Sequence, residues 1–329
     1  MVIPTLAADA KLAECMQALA RQTRCDFEVI VVDNSGQGLA RRNPATAGAR
    51  VIENPKNRGF GAAVNQGLEA SRSDYLATLN DDAAPHPRWL EALLAAIERR
   101  RDVGMCASQV RFYAEHRLDS AGMLVSADGS SRQRGHGRAP EDFPVAEEAL
   151  FPSASAALYR RAMLEAIGAF DDRFFLYCED TDLGLRARWA GWKCLYVPQA
   201  VVEHHYSHSA GRASPLKAYY VERNRLFVVA KNFPPRLLLA MPWVALTRYF
   251  WHVWYLLQGR GTAAHFRAGG YGGWKLPWYV LRAHVALAAH AGRLWRERRE
   301  IRRRARITPA VFCRLLRSHS ISSRKVAGL

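Results

Sequence analysis

Two acidic clusters lie about a hundred residues apart: Asn80-Asp81-Asp82 ends an apolar run, and Glu179-Asp180-Thr181-Asp182 follows Phe174-Phe175-Leu176-Tyr177-Cys178. Adjacent carboxylates after a buried strand repel one another unless a cation or hydrogen-bond donors intervene. Mg²⁺ or Mn²⁺ typically takes one or two carboxylates plus substrate phosphates, and it offsets charge building on a departing diphosphate. The first cluster is therefore a candidate metal site, with a solvated Asn-Asp turn as the plain alternative. In the second, acids at a helix start complement its dipole, and Asp182 with Arg186 forms an i,i+4 pair. Those structural roles leave a carboxylate over, and it is a candidate general base, needing only hydrogen-bond reach to a substrate hydroxyl. The two clusters together point to an enzyme that moves a group off a diphosphate.

Three further segments belong with them. Asp33 ends the run Val29-Ile30-Val31-Val32 and can accept hydrogen bonds from a base or ribose, or serve only as a turn residue. Asn57-Arg58-Gly59-Phe60-Gly61 opens a helix; its glycines allow close backbone approach, and a helix N-terminus favours anions. His204-His205 follows a strand-like run. Adjacent side chains on a strand point to opposite faces, so at most one of these imidazoles can share a site with Asp82.

The elements that must hold these residues alternate in the first half of the chain. Val29–Val32, Val51-Ile52, Tyr75–Leu79 and Val103–Ala107 read as strands, and Leu12–Ala20, Ala62–Ala70 and Arg88–Ile97 as helices. That alternation predicts an α/β fold with a mostly parallel sheet flanked by helices. Ligands in such sheets sit beyond the carboxyl ends of the strands, where Asp33 and the Asn80–Asp82 cluster fall. Residues 111–150 are more polar and read as sheet-edge loops. Near residue 215 the βαβ pattern stops, which places a domain boundary between 1–215 and 216–329.

Composition narrows the class. A hydrophobic fraction of 49% supports a packed core over 329 residues. The six cysteines show no CxxC pair and no metal-ligand spacing, and read as reduced thiols of a cytoplasmic protein. No secretory signal is expected, because the chain enters Val2-Ile3-Pro4-Thr5 almost at once. The net charge of +17 is unevenly placed: thirteen Lys and Arg stand against two Glu between Arg282 and Lys325. Such a field favours an anionic surface, membrane or nucleic acid.

With these residues in view the chain resembles the family 2 glycosyltransferases of GT-A fold, especially rhamnosyltransferase-like members, over roughly residues 2–232. The resemblance is carried by Val2–Thr5, Val31–Ser35, Asn57–Gly61 with Asn65 and Gly67, and Leu79–Asp82. Downstream it continues through Gly168–Asp171, Glu179–Leu183, Gly191-Trp192 and Arg223-Asn224; order and spacing together make it specific. It implies a nucleotide-sugar donor and an inverting displacement. Asp33, Asn57, Arg58, Gly59, Asn80 and Asp81 would then bind the donor, Asp82 and His204 the metal (Mg²⁺ or Mn²⁺), and Asp180 would deprotonate the acceptor hydroxyl. By the same resemblance dTDP-rhamnose is the first donor to consider and a UDP-sugar the next. Three departures stand out. Leu6-Ala7 replace the aromatic-Asn pair common after Pro-Thr, and the first strand is clipped at Met1, so a start further upstream is expected. Asn80 stands where some relatives have Asp, which shifts weight to Asp82. Ser153-Ala154-Ser155 stand where a Gly is common.

The C-terminal third holds six of the nine tryptophans: Trp243, Trp251, Trp254, Trp274, Trp278 and Trp295. Leu237–Leu257 approaches bilayer-spanning length but contains Pro242, Arg248 and His252, and a central Arg costs roughly 2.5–3.5 kcal/mol on insertion. A helical, membrane-associated region lying in the interface is expected instead, with Arg296–Arg306 against anionic headgroups. It implies a peripheral location on the inner face of the cell membrane and a polyprenyl-linked glycan acceptor. The alternatives are a nucleotidyltransferase, which gives Glu179–Asp182 no obvious task, and a basic nucleic-acid-binding protein, which the Trp-rich apolar segments argue against.

Overall fold

The computed structural model describes residues 1–205 and 214–328. In chain order the first elements are β1 (Val2–Thr5), α1 (Ala10–Ala20), β2 (Ile30–Asp33), α2 (Leu39–Arg42), β3 (Arg50–Glu53), α3 (Phe60–Ala70) and β4 (Tyr75–Leu79). They are followed by β5 (Ala83–Pro85), α4 (Trp89–Glu98), β6 (Val103–Phe112), β7 (Leu118–Ser120), β8 (Met123–Val125), β9 (Ser131–Gln133) and β10 (Glu147–Ala149). Then come β11 (Ala156–Arg160), α5 (Arg161–Ile167), α6 (Glu179–Trp189) and β12 (Lys193–His204). The remainder is helical: α7 (Pro215–Asn232), α8 (Pro235–Leu257), α9 (Gly261–Ala268), α10 (Leu276–Ala289), α11 (Ala291–Arg303), α12 (Pro309–Ser318) and α13 (Ser323–Gly328).

Two compact units result. One is Met1–Met123 with Gln133–His208, the other Leu124–Arg132 with Ser209–Leu329. The first is a mixed sheet in the order β10-β12-β6-β11-β4-β1-β2-β3, with β5 on β12 and β7 on β6. Its βαβ half is parallel as expected: β1 pairs with β2 and β4, and β2 with β3. The expectation of a mostly parallel sheet is corrected by the other half. There β11 inserts antiparallel between β4 and β6, while β5, β7 and β10 add further antiparallel pairs. The stretch from β6 to β11 has no crossover helix, and antiparallel pairing needs none. The core lies between the sheet and α1 and α4, where Ile3, Val31, Leu79, Leu12, Cys15, Trp89, Leu93 and Ile97 are buried.

The second unit is built around charge. Asp128 and Ser130 meet Glu222 and Arg225 of α7 and Arg248 and Tyr249 of α8 in one hydrogen-bonded cluster. Arg248 reaches Asp128 at 2.7 Å, Ser130 at 2.9 Å and Glu222 at 3.0 Å, and Tyr249 reaches Glu222 at 2.8 Å. With Arg248 turned inward, α8 leaves Leu239, Trp243, Leu246, Phe250, Val253, Trp254 and Leu257 exposed at helical spacing, and Leu239 is 80% and Trp243 74% exposed. Among the described residues no helix is long and apolar enough to cross a membrane.

Candidate active site

The carboxyl ends of β1, β2 and β4 carry the first group of site residues. Asp33 is paired in register with Thr5 and is buried. Its carboxylate accepts the N–H groups of Ser35 and Ala40, both at 2.8 Å, so it shapes the β2–α2 turn and keeps one lone pair on each oxygen for any other donor. Burial pushes the Asp81 carboxyl up to about 6 against the nearby Thr5 hydroxyl, with the charges of Asp82 and Asp9 adding to the effect. Asp81 and Asn80 are half-buried and Asp82 is buried.

His204, at the end of β12, meets the same edge. Its Nε2 lies 3.1 Å from Asp82 Oδ1 and 3.3 Å from Asn80 Nδ2, and its Nδ1 lies 2.9 Å from Asp119 Oδ2. Burial alone would lower the imidazole, but the hydrogen bonds and charges of Asp119 and Asp82 outweigh it and raise it to about 10. His205 turns elsewhere, against Glu14 at 3.0 Å and stacked on Tyr113, as strand alternation requires. Asp119, on the three-residue β7, escaped sequence reading: nothing local marks it, and only the fold brings it to His204.

The residues present fit a divalent ion held jointly with a substrate. Asp82 and His204 offer one carboxylate oxygen and one imidazole nitrogen at the separation a shared proton now bridges. Asp119 on the far nitrogen is the partner that fixes a ligating imidazole. Among the described residues no group of three or more His, Cys, Asp or Glu is gathered for a metal. The remaining ligands would then come from water and diphosphate, the usual arrangement for Mg²⁺ in nucleotide sites. Asp119→Asn is accordingly expected to weaken Mn²⁺ binding by about 10–100-fold, measured by titration calorimetry with a nucleoside diphosphate present; unchanged affinity would remove Asp119 from this role.

The second acidic cluster sits at the start of α6. Asp182 is fully buried against Arg186 at 2.8 Å, the i,i+4 pair expected, and Arg186 continues to the carbonyls of Ile167, Gly168 and Ala169. Glu179 is buried, and burial together with the charge of Asp180 pushes its carboxyl up. Asp180 is half-buried; burial raises its carboxyl too, against hydrogen bonds from the Thr181 N–H and hydroxyl and the pull of the nearby Ala154 N–H. A carboxylate so raised is a stronger base than a free Asp. The approach to α6 is strained: Phe175, Tyr177 and Cys178 all have φ between 61° and 70°, a region that costs of order 1–3 kcal/mol per non-Gly residue and is kept only where surroundings enforce it.

That enforcement ties the segments into one ring. Phe60 N–H donates to Phe175 O at 2.8 Å, and Asn34 Nδ2 donates to Gly59 O at 3.2 Å. Gly59 has φ +88°, and a Cβ there would lie 2.2 Å from Phe175 O, so only glycine permits this approach. Asn57 Oδ1 accepts the Gly59 N–H at 2.8 Å, while Asn57 and Arg58 face solvent. Asn65 clamps residues 170–172 to α3 by bonding Phe170 N–H at 3.0 Å, Phe170 O at 2.8 Å and Asp172 at 2.6 Å. On the other side, the Ala154 N–H lies near Asp180 and favours its ionised form, and Ser155 O accepts the Asn80 N–H at 2.8 Å. The base candidate and the metal candidates are thus joined through two consecutive residues of the segment Ser153–Ser155.

Residues 1–168 match the family model described as glycosyl transferase family 2. The chain belongs to that family. It is 30% identical over 250 residues to N-acetylglucosaminyl-diphospho-decaprenol L-rhamnosyltransferase of Mycobacterium tuberculosis, covering 67% of this chain and 80% of the relative. It is 26% identical over 219 residues to the O-antigen chain rhamnosyltransferase WbaN of Salmonella anatum, covering 64% and 66%. Among solved structures, GalNAc-T7 with UDP, GalNAc and Mn²⁺ aligns with a TM-score of 0.56 at 14% identity, over 70% of this chain and 47% of that one. The mannosyltransferase PcManGT of Pyrobaculum calidifontis, with GDP-Man and Mn²⁺, aligns at 0.51 and 18% identity over 88% and 74%. The chain is a glycosyltransferase with rhamnosyltransferase relatives, and its fold is GT-A-like. The nucleotidyltransferase and nucleic-acid-binding alternatives fall with that assignment.

Proposed function

We propose that this glycosyltransferase moves rhamnose from dTDP-rhamnose, with inversion, to a polyprenyl-diphosphate-linked glycan at the cytoplasmic face of the membrane. The observation that carries the reading is the placement of Asp180 beside Ala154, whose neighbour Ser155 accepts the Asn80 N–H next to Asp82 and His204. In-line displacement needs a base on one side of the sugar and a held diphosphate on the other, and two carboxylate groups from distant segments supply that opposition. Asp82 and His204 would hold Mg²⁺ or Mn²⁺, which when bound supplies positive charge against the departing diphosphate. Asn57 and Arg58 present side-chain donors beside the N-terminus of α3, suited to phosphate. Asp33, Asn80 and Asp81 line the sheet edge where the nucleotide belongs. Asp180 in its ionised form takes the proton of the acceptor hydroxyl as it attacks the anomeric carbon.

The donor and acceptor rest on the rhamnosyltransferase relatives, one of them named for a diphospho-decaprenol acceptor. The membrane location rests on α8, whose outward stripe is apolar while Arg236 in its first turn and Arg260 just past its last stand exposed. Such a helix suits the interface, with cations at headgroup level. Leu239→Asp combined with Trp243→Asp is expected to reduce binding to phosphatidylglycerol vesicles more than tenfold, since burying each side chain contributes about 1.5–3 kcal/mol; flotation of the full chain measures it. The reaction itself is tested by NMR of the glycolipid product. A product anomer opposite to that of the donor supports the mechanism, whereas retention would overturn Asp180 as the single base.

A further inference from the structure

Four titratable side chains follow one another from the sheet edge outward, and the last of them has no task in the reading above. Asp82 meets His204 Nε2, His204 Nδ1 meets Asp119 Oδ2, and Asp119 in turn meets His136. The His136 Nδ1 lies 3.1 Å from the Asp119 carbonyl oxygen and 3.3 Å from its Oδ1. Both oxygens only accept, so Nδ1 carries the hydrogen and His136 is the donor. Asp119 is buried, and its Oδ1 takes no hydrogen bond of full geometry among the described residues, so the His136 N–H is the dipole that offsets it. Burial alone would raise the Asp119 carboxyl, but His136 and His204 outweigh it and hold the group below its ordinary value.

The sequence builds His136 into this place. Gly135 and Gly137 flank it at φ +75° and +76°, a conformation that glycine adopts without strain, and they turn the chain back onto β7. Backbone hydrogen bonds fasten the turn on both sides of Asp119. Leu118 N–H donates to Arg138 O and Gly137 N–H to Leu118 O, both at 2.8 Å; Ala121 N–H donates to Arg134 O at 2.9 Å and Arg134 N–H to Gly122 O at 2.8 Å. The imidazole stands edge-on to the Phe112 ring, centroids 5.1 Å apart, and the side chain is only 28% exposed.

What this placement does follows from His204. An imidazole can hold a cation through Nε2 while Nδ1 keeps its hydrogen, and the carboxylate that accepts that hydrogen fixes both ring and tautomer. Asp119 performs that task only while its carboxylate stays ionised and does not rotate. A donor beside its other oxygen secures both conditions.

We propose that His136 is a positioning residue for the divalent metal: by donating to Asp119 it fixes the carboxylate that orients His204. The proposal rests on the metal site at Asp82 and His204 and adds a residue one step beyond Asp119.

The experiment follows Mn²⁺ binding to the full-length protein by electron paramagnetic resonance, with dTDP or UDP present. His136→Phe keeps a ring against Phe112 and loses the donor, and it is expected to weaken Mn²⁺ binding about tenfold, the lower end for outer partners of a metal ligand. His136→Asn places an amide N–H near the position of Nδ1 and is expected to restore binding. His136→Gln places it near the position of Nε2 and is expected to bind as weakly as His136→Phe. Nucleotide binding in EDTA should be the same in all four proteins. Asn and Gln differ by one methylene, so that pair decides the matter even where His136→Phe does not fold. Equal Mn²⁺ affinity throughout, equal loss in Asn and Gln, or a loss of nucleotide binding in EDTA would overturn the role of His136. Absence of Mn²⁺ binding by the wild type removes the metal site and this proposal with it, whereas wild-type binding that the variants leave intact removes His136 alone.

Discussion

Asp180→Asn is expected to lower the rate of sugar transfer by about 10²–10⁴-fold, the contribution typical of a positioned general base, while donor affinity stays unchanged. The amide keeps the size of the carboxylate and can still accept from the Thr181 N–H, so the start of α6 should hold its shape. Burial penalises the ionised form of this carboxyl, so the variant should unfold no earlier than the wild type, and a general loss of structure would not explain the rate. The wild-type pH profile gives a second readout. A base must be ionised to act, and burial raises this carboxyl above the ordinary Asp range of about 3.9. Activity should therefore fall on acidification at a pH above that range, and the limb should vanish from the residual activity of Asp180→Asn. Single-turnover release of the nucleoside diphosphate, paired with calorimetric donor binding, measures both effects. Loss of donor affinity in step with the rate would make Asp180 a donor ligand instead.

Arg248→Ala is expected to destabilise the second unit by about 3–5 kcal/mol, because it leaves two buried carboxylates short of a cation. Asp128 is fully buried and Glu222 nearly so, and Arg248 reaches both. Arg225 remains on Glu222 and on the carbonyl of Asp128, which limits the loss but does not replace the contact with the Asp128 carboxylate. The pH dependence follows from the same groups. Burial would raise Glu222, but the charges of Arg225 and Arg248 outweigh it and hold the carboxyl down at about 2. Its folded value lies below its unfolded one, near 4.3, so its stabilisation is present above that pH and is lost as pH falls toward 2. Arg248→Ala should flatten that loss. Urea unfolding followed by tryptophan fluorescence suits the measurement, since six of the nine tryptophans lie in this part of the chain. A midpoint equal to the wild type would show that the cluster is energetically idle.

Much of the site was legible because its geometry is local. The period of two along a strand sends His204 and His205 to opposite sides, and the structure puts only His204 on Asp82. The i,i+4 spacing assigns Asp182 to Arg186, which frees Asp180 from a purely structural account. Strand ends after Leu79 and Val32 place their acids at one sheet edge by topology. What escaped was long-range. Asp119 sits on a three-residue strand and acts on a histidine 85 positions away. The segment Leu124–Arg132 contributes Asp128 to α7 and α8 across about a hundred residues, and no periodicity encodes such a pairing. The antiparallel β11 has no counterpart among the strands expected from sequence, because Ala156-Ala157-Leu158-Tyr159 is too short a run to show a period.

Arg248 shows how composition misleads when partners are unknown. In the sequence it interrupts an apolar helix and argues against a bilayer-spanning segment. In the fold it is drawn inward by Asp128 and Glu222, and the outward stripe of α8 carries no charge between Arg236 and Arg260. The residue that seemed to spoil the apolar face sets the orientation of α8 that exposes it.

The central claim is that the ring from Asp33 to His204 binds a nucleotide sugar and expels its diphosphate. The measurement that tests it most directly is nucleoside-diphosphate release across a panel of dTDP-, UDP- and GDP-sugars, with Mg²⁺ or Mn²⁺ and a membrane lipid extract as acceptor. The expected result is release from dTDP-rhamnose, abolished by EDTA and by Asp180→Asn. No release and no binding with any donor would contradict the account.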